Sequence, residues 1–105
     1  MGTTITLQRV RTRARVSVVG ALELGARERF LAEVEAAATG ATLLELDLRR
    51  LEYIDSVGIS ALIQANRHAI ASTGARARLL ITDDGPVRRM LELTLLHLTL
   101  DVRIG

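Results

Sequence analysis

Segments of strand length alternate along this chain with segments of helical period, and glycines punctuate the changes. That alternation leaves few folds open. Residues 42–48 (Thr-Leu-Leu-Glu-Leu-Asp-Leu) form a short, nearly continuous apolar run, the pattern of a strand covered on both faces. From about residue 56 to 73 the period changes. Ile59, Leu62, Ile63, Asn66 and Ile70 recur at i, i+3, i+4, i+7 and i+11, one helical face with a single polar interruption. Asp55 or Ser56 can cap this helix and Gly74 can end it. Residues 76–82 (Arg-Ala-Arg-Leu-Leu-Ile-Thr) then return to strand character.

The flanking segments extend the pattern. Residues 3–9 alternate, and residues 14–20, with Val16, Val18 and Val19, supply a hairpin partner. Gly20 and Gly25 bracket a turn region. Phe30, Leu31, Val34 and Ala38 mark a helix over residues 26–39 that Gly40 can stop. Residues 49–53 read as a connection. Asp83-Asp84-Gly85-Pro86 joins acidic capping residues to an early helical proline, opening a short helix to about residue 93. Residues 99–104 suit a closing edge strand. The order ββαβαβα with a final strand predicts one α/β domain over residues 1–105: a small mixed sheet with helices packed on it through right-handed crossovers.

Composition narrows the function classes. The 105 residues are 49% hydrophobic but only 2% aromatic, so the core must be aliphatic. No cysteine is present, which excludes disulfides, thiolate catalysis and cysteine-based zinc sites. All 14 basic residues are arginine, yet the 12 acidic residues hold the net charge to +2. Arg9, Arg11, Arg13 and Arg15 recur at period two and would share one face of an extended segment. Without stacking aromatics or a recognition helix nearby, that face reads as a solvated hairpin edge guarded by charge, not as a nucleic-acid surface. The opening residues lack an apolar secretion core, and no run approaches the ~20 apolar residues of a membrane span. The expectation is a cytoplasmic protein without membrane contact.

Catalytic signatures are missing: there is no Gly-rich phosphate loop, no metalloprotease helix and no nucleophile elbow. His68 and His97 stand alone and read as structural. Asp47, Asp83 and Asp84 read as turn and cap residues. No set of ligands converges for a metal or cofactor. The chain is therefore expected not to be an enzyme.

One junction offers chemistry of another kind. In Leu51-Glu52-Tyr53-Ile54-Asp55-Ser56-Val57-Gly58 an Asp-Ser pair meets the start of the long helix. Such a junction sets a hydroxyl beside free backbone N–H groups, where the helix dipole favours a phosphate. An ordinary helix cap would use the same residues.

This junction resembles the D-S-x-G motif of the STAS domains of bacterial anti-sigma factor antagonists. Gly20-Ala21-Leu22-Glu23 resembles that family's G-x-L-D loop, Leu44-Glu45-Leu46-Asp47-Leu48 its central strand, and the stretch from Pro86 to Thr94 its late helix. The resemblance spans nearly the whole chain. It implies a STAS fold and a protein that carries a mark without doing chemistry itself. The unphosphorylated antagonist would bind an anti-sigma factor of the serine-kinase type and free a sigma factor. The kinase would phosphorylate Ser56, and a serine phosphatase would reverse the mark. The implied partner surface comprises Glu23, Asp55, Ser56, Val57 and Gly58. Two departures bear on the partner: Glu23 stands where the family has Asp, and Val57 where a second Ser is common. The alternative is a STAS subunit bound constitutively to a larger machine, such as a stressosome-like scaffold or a lipid-transport ATPase.

Overall fold

Alternation near the amino terminus becomes a hairpin. In the computed structural model, which describes residues 2–105, β1 (Thr3–Val10) pairs antiparallel with β2 (Arg13–Leu22) around Arg11 and Thr12, and Arg11 adopts the left-handed φ of 57°. Then follow α1 (Leu24–Ala38), β3 (Leu43–Ile54), α2 (Ser56–Thr73), β4 (Arg78–Ile81), α3 (Pro86–Leu93), a 3-10 turn (Leu96–Leu98) and β5 (Asp101–Ile104). The sheet order is β1-β2-β3-β4-β5, and every pairing after the hairpin is parallel. The α/β mixed sheet expected from the sequence is the observed one.

Each helix carries the chain one strand further in the same direction, so right-handed crossovers bring all three helices to one face. Burial agrees. Ala14, Val16, Val18, Leu44, Leu46, Leu48, Leu79 and Ile81 are buried beneath the helices with Phe30 and Leu62. The residues between them face outward and are only half-buried. Residues 42–48 are thus covered on one face, not two. The open face carries a charge ladder instead of a second apolar layer. Glu45 lies 3.4 Å from Arg15 and 3.9 Å from Arg78, and Asp47 lies 2.9 Å from Arg49. The hydrogen bond from Arg49 is the main reason the Asp47 carboxyl sits below its usual range. Asp47 is accordingly a mid-strand ladder residue and not a turn residue.

Several expectations need correction. Residues 49–53 are no connection: β3 runs on through them. Two register shifts against β2 insert extra residues into β3, and its burial period lengthens from two to three, which hides the strand from an alternation test. The Gly20 to Gly25 region is equally regular, because β2 reaches Leu22 and α1 begins at Leu24. The four arginines do not share a face. Arg9 is in register with Ala14 on the helix side, and its guanidinium donates to the carbonyls of Ala36, Ala37 and Thr39 at 3.2, 2.8 and 3.0 Å. A cation there complements the end of α1. Arg15 lies on the opposite face with Glu45.

The buried side of α2 is Gly58, Ala61, Leu62, Ala65 and Ala69, with Ile59 also buried. That face is the expected one displaced by one residue, which leaves Ile70 46% exposed and Ile63 half-buried. Alanines let α2 approach its neighbours closely; Ile59 is buried as expected, while Ile63 and Ile70 sit at the margin. Asn66, the polar interruption, accepts a hydrogen bond from the Ala77 N–H at 2.9 Å and ties α2 to the approach of β4. Before α3 the cap position is Gly85, with no side-chain cap; Asp83 pairs with Arg88 instead of capping.

Candidate functional site

The parallel pairing of β2 and β3 decides which loops meet. Leu22 and Ile54 are register partners at the ends of these strands. The chain enters α1 directly after Leu22 and α2 directly after Ile54, with only Glu23 and Asp55 between strand and helix. Two helix starts therefore lie side by side at the carboxyl edge of the sheet, where open α/β sheets generally present their binding groups.

Asp55 is the cap of α2. Its backbone is extended (φ −119°, ψ −170°), its Oδ1 accepts the Gly58 N–H at 2.9 Å, and its carbonyl accepts the Ile59 N–H at 2.9 Å. Ser56 is the first helical residue and is exposed; Val57 is half-buried. Helix geometry leaves the N–H groups of Ser56 and Val57 without intrahelical acceptors. Ser56 is thus an exposed residue beside two N–H groups that the helix leaves free and a carboxylate whose Oδ1 is already engaged.

Gly58 fixes this arrangement from below. It is buried, and a Cβ there would collide with the Leu22 carbonyl and come within 2.7 Å of Ile54 Cγ1. Only glycine lets the first turn of α2 rest on the end of β2. Gly58 is buried, and it holds the helix start that carries Ser56 against β2.

Glu23 occupies the matching position before α1 and behaves differently. Its carbonyl accepts the Ala26 N–H at 3.1 Å, but its side chain makes no capping hydrogen bond. The half-buried Glu23 carboxylate lies over Gly25 instead. Leu24 and Tyr53, which follow Glu23 and precede Ile54, are 71% and 44% exposed. The sequence reading missed both. Tyr53 follows the second register shift of β3, a feature that no local pattern announces.

Other candidate groups stay apart from this edge. His68 is half-buried on α2, and the His97 ring nitrogen Nδ1 lies 3.3 Å from the Leu91 carbonyl. Among the described residues no three His, Asp or Glu side chains converge on a metal site. No described helix is long and apolar enough to cross a membrane.

Comparison with known proteins places the chain in a family. The family model described as "Mlab, STAS domain" matches residues 5–97. No curated protein matches by sequence. An anti-sigma factor antagonist from Mycobacterium paratuberculosis superposes with a TM-score of 0.85 at 20% identity, over 99% of this chain and 87% of that one. The phosphorylated form of the Bacillus cell fate determinant SpoIIAA gives 0.70 at 21% identity over 97% and 93%. The unphosphorylated form of the anti-sigma factor antagonist SpoIIAA gives 0.69 at 19% identity over 97% and 89%. At such identities the superpositions establish the shared fold, and the family model, matched over most of the chain, establishes the kinship: the chain belongs to the STAS-domain family.

Proposed function

We propose that this protein is an anti-sigma factor antagonist whose docking edge is switched off by phosphorylation of Ser56. The observation that carries the reading is that Ser56, the first residue of α2, is exposed beside the second helix start at Glu23. The partner is an anti-sigma factor of the serine-kinase type, which binds the unphosphorylated edge and transfers a phosphoryl group from ATP to Ser56 Oγ. A serine phosphatase removes it. The contact surface comprises Glu23, Asp55, Ser56 and Val57, with Leu24 and Tyr53 as apolar anchors and Gly58 as the support beneath.

The physics of such a switch is local. A phosphoserine adds roughly −1.5 to −2 charges at pH 7. Inside the domain the positive end of α2 tolerates that charge, so the fold stays as it is. At an interface that already holds Glu23 and Asp55, the same charge adds repulsion and desolvation. A loss of ~3 kcal/mol there lowers affinity more than a hundredfold.

A second reading is a subunit bound constitutively to a stressosome-like scaffold or a lipid-transport ATPase. It draws on the exposure of Leu24 and Tyr53, since apolar anchors of this kind hold a partner without any charge switch. Pull-downs with wild-type and Ser56→Asp proteins, read by mass spectrometry, separate the two. Wild type should retain a serine-kinase anti-sigma factor that Ser56→Asp loses, and that kinase with ATP should label wild type but not Ser56→Ala. Retention of one partner by both proteins would shift the assignment to the constitutive subunit.

A further inference from the structure

The sheet has two edges, and they differ in what could pair with them. β1 is one edge and β5 the other, each bonded to a single neighbour. β1 carries one charged residue, Arg9, which is spent on the end of α1. β5 reads Asp-Val-Arg-Ile, with opposite charges two residues apart on the open face, in register with Arg78 and Leu80. Unpaired strand edges generally invite another strand.

The backbone of β5 sets the register of such a strand. The Gly105 N–H donates to the Ile81 carbonyl at 3.1 Å, so Gly105 turns its hydrogen-bonding groups toward β4. Alternation along the strand turns those of Arg103 and Asp101 the same way and those of Val102 and Ile104 outward. From this geometry we infer that β5 pairs with the β5 of a second copy of this chain, antiparallel about a two-fold axis through Val102. The two Val102 residues then form a hydrogen-bonded pair. Asp101 of each copy faces Arg103 of the other in the flanking non-hydrogen-bonded positions, where side chains approach most closely. On the helix side, Ile104, 56% exposed in the single chain, comes to lie beside Leu100 of the second copy.

Charge complementarity under the two-fold selects a second copy as the occupant. Within one chain Arg103 Nε lies 2.8 Å from Asp101 Oδ1, and pairing exchanges the two such contacts, one in each copy, for two equivalent ones between copies. The edge is short, so the association is weak and concentration-dependent. It leaves the Ser56 edge of β2 and β3 free and does not depend on the antagonist reading.

Sedimentation velocity on the full chain over a concentration series tests the pairing. Wild type should move from monomer toward dimer as concentration rises to about 1 mM. Asp101→Arg and Arg103→Asp should each weaken association about tenfold, because either change creates two like-charged contacts per dimer. The double variant should recover association. Val102→Pro removes the outward N–H and leaves the bonds to β4 in place, so it should abolish the dimer with an unchanged thermal melt. Should that variant unfold, the charge swap decides alone. A wild type that stays monomeric throughout, or a dimer that neither reversal weakens, would overturn the inference.

Discussion

The starts of α1 and α2 come from the same strand-to-helix step and lie next to each other, yet they are built to different standards. At α2 every part is constrained. Asp55 caps the Gly58 N–H, and Gly58 rests on the Leu22 carbonyl with no room for a Cβ. At α1 the cap position holds Glu23, whose side chain caps nothing, and Gly25 has only that flexible side chain near it. Leu24 projects into solvent. A phospho-switch needs one half held rigid, so that the acceptor hydroxyl always has the same place, and one half free to adapt to a partner. Under the proposed switch, the two helix starts would divide that labour.

The two helix starts differ most at their glycines. Gly58→Ala should cost about 3 kcal/mol, because the new methyl meets backbone that cannot rotate away. Gly25→Ala should instead stabilise by up to about 1 kcal/mol, since its Cβ meets only the Glu23 carboxylate at 2.9 Å and the unfolded chain loses freedom. Urea titrations of the two proteins measure both, and equal costs would dissolve the distinction. The caps come next. Asp55→Ala should lose about 1 kcal/mol and Asp55→Asn much less, whereas Glu23→Ala should change stability by less than about 0.5 kcal/mol. A thermal-melt series reads the ranking.

What the sequence disclosed, and what it withheld, follows the same physical lines. Local chemistry was legible: the Asp-Ser cap, the Gly74 stop with its left-handed φ of 79°, the proline opening α3 and the edge strand at the end. Non-local geometry was not. The register shifts in β3 exist only in relation to β2, so residues 49–53, where the burial period changes, read as a connection. The face of α2 was misplaced by one residue because isoleucine outweighs alanine in any hydrophobic count, while close packing prefers the alanines. Within the site, Ser56 and Asp55 were legible and Leu24 and Tyr53 were not, since their exposure depends on where neighbouring strands end. The arginines show the same limit. Period two predicts one face only when no turn intervenes, and the chain reverses at Arg11.

A carboxylate lower on β3 supplies a control for the capped one. The Arg49 hydrogen bond depresses the pKa of Asp47 in the folded protein. Its contribution is therefore present above the unfolded value of about 4 and is lost as pH falls through the lower folded value. Arg49 is 38% exposed at the side chain, so solvent screening holds the effect under about 1 kcal/mol. Asp47→Asn should flatten the acid limb of a stability-against-pH curve by that amount. A curve identical to wild type would mean that the ladder holds the open face without contributing stability.

The smallest effect on the fold is expected where the effect on function is expected to be largest. Ser56→Asp puts a carboxylate on the first residue of α2. The helix dipole favours it there by ~0.3–1 kcal/mol, and repulsion from the adjacent Asp55 opposes it by a similar amount in exposed surroundings. Stability should therefore shift by less than about 0.5 kcal/mol in either direction. One carboxylate carries less charge than a phosphate, so the partner's affinity should fall by more than about tenfold without vanishing. Calorimetry against the anti-sigma partner, paired with a denaturant titration of the same preparation, reads both numbers. If Ser56→Asp destabilised the domain as much as Asp55→Ala, weaker binding could be put down to a damaged helix start, and the rigid half of the comparison would be lost. If stability held while affinity fell, the switch would act at the interface alone, with α2 as its fixed platform.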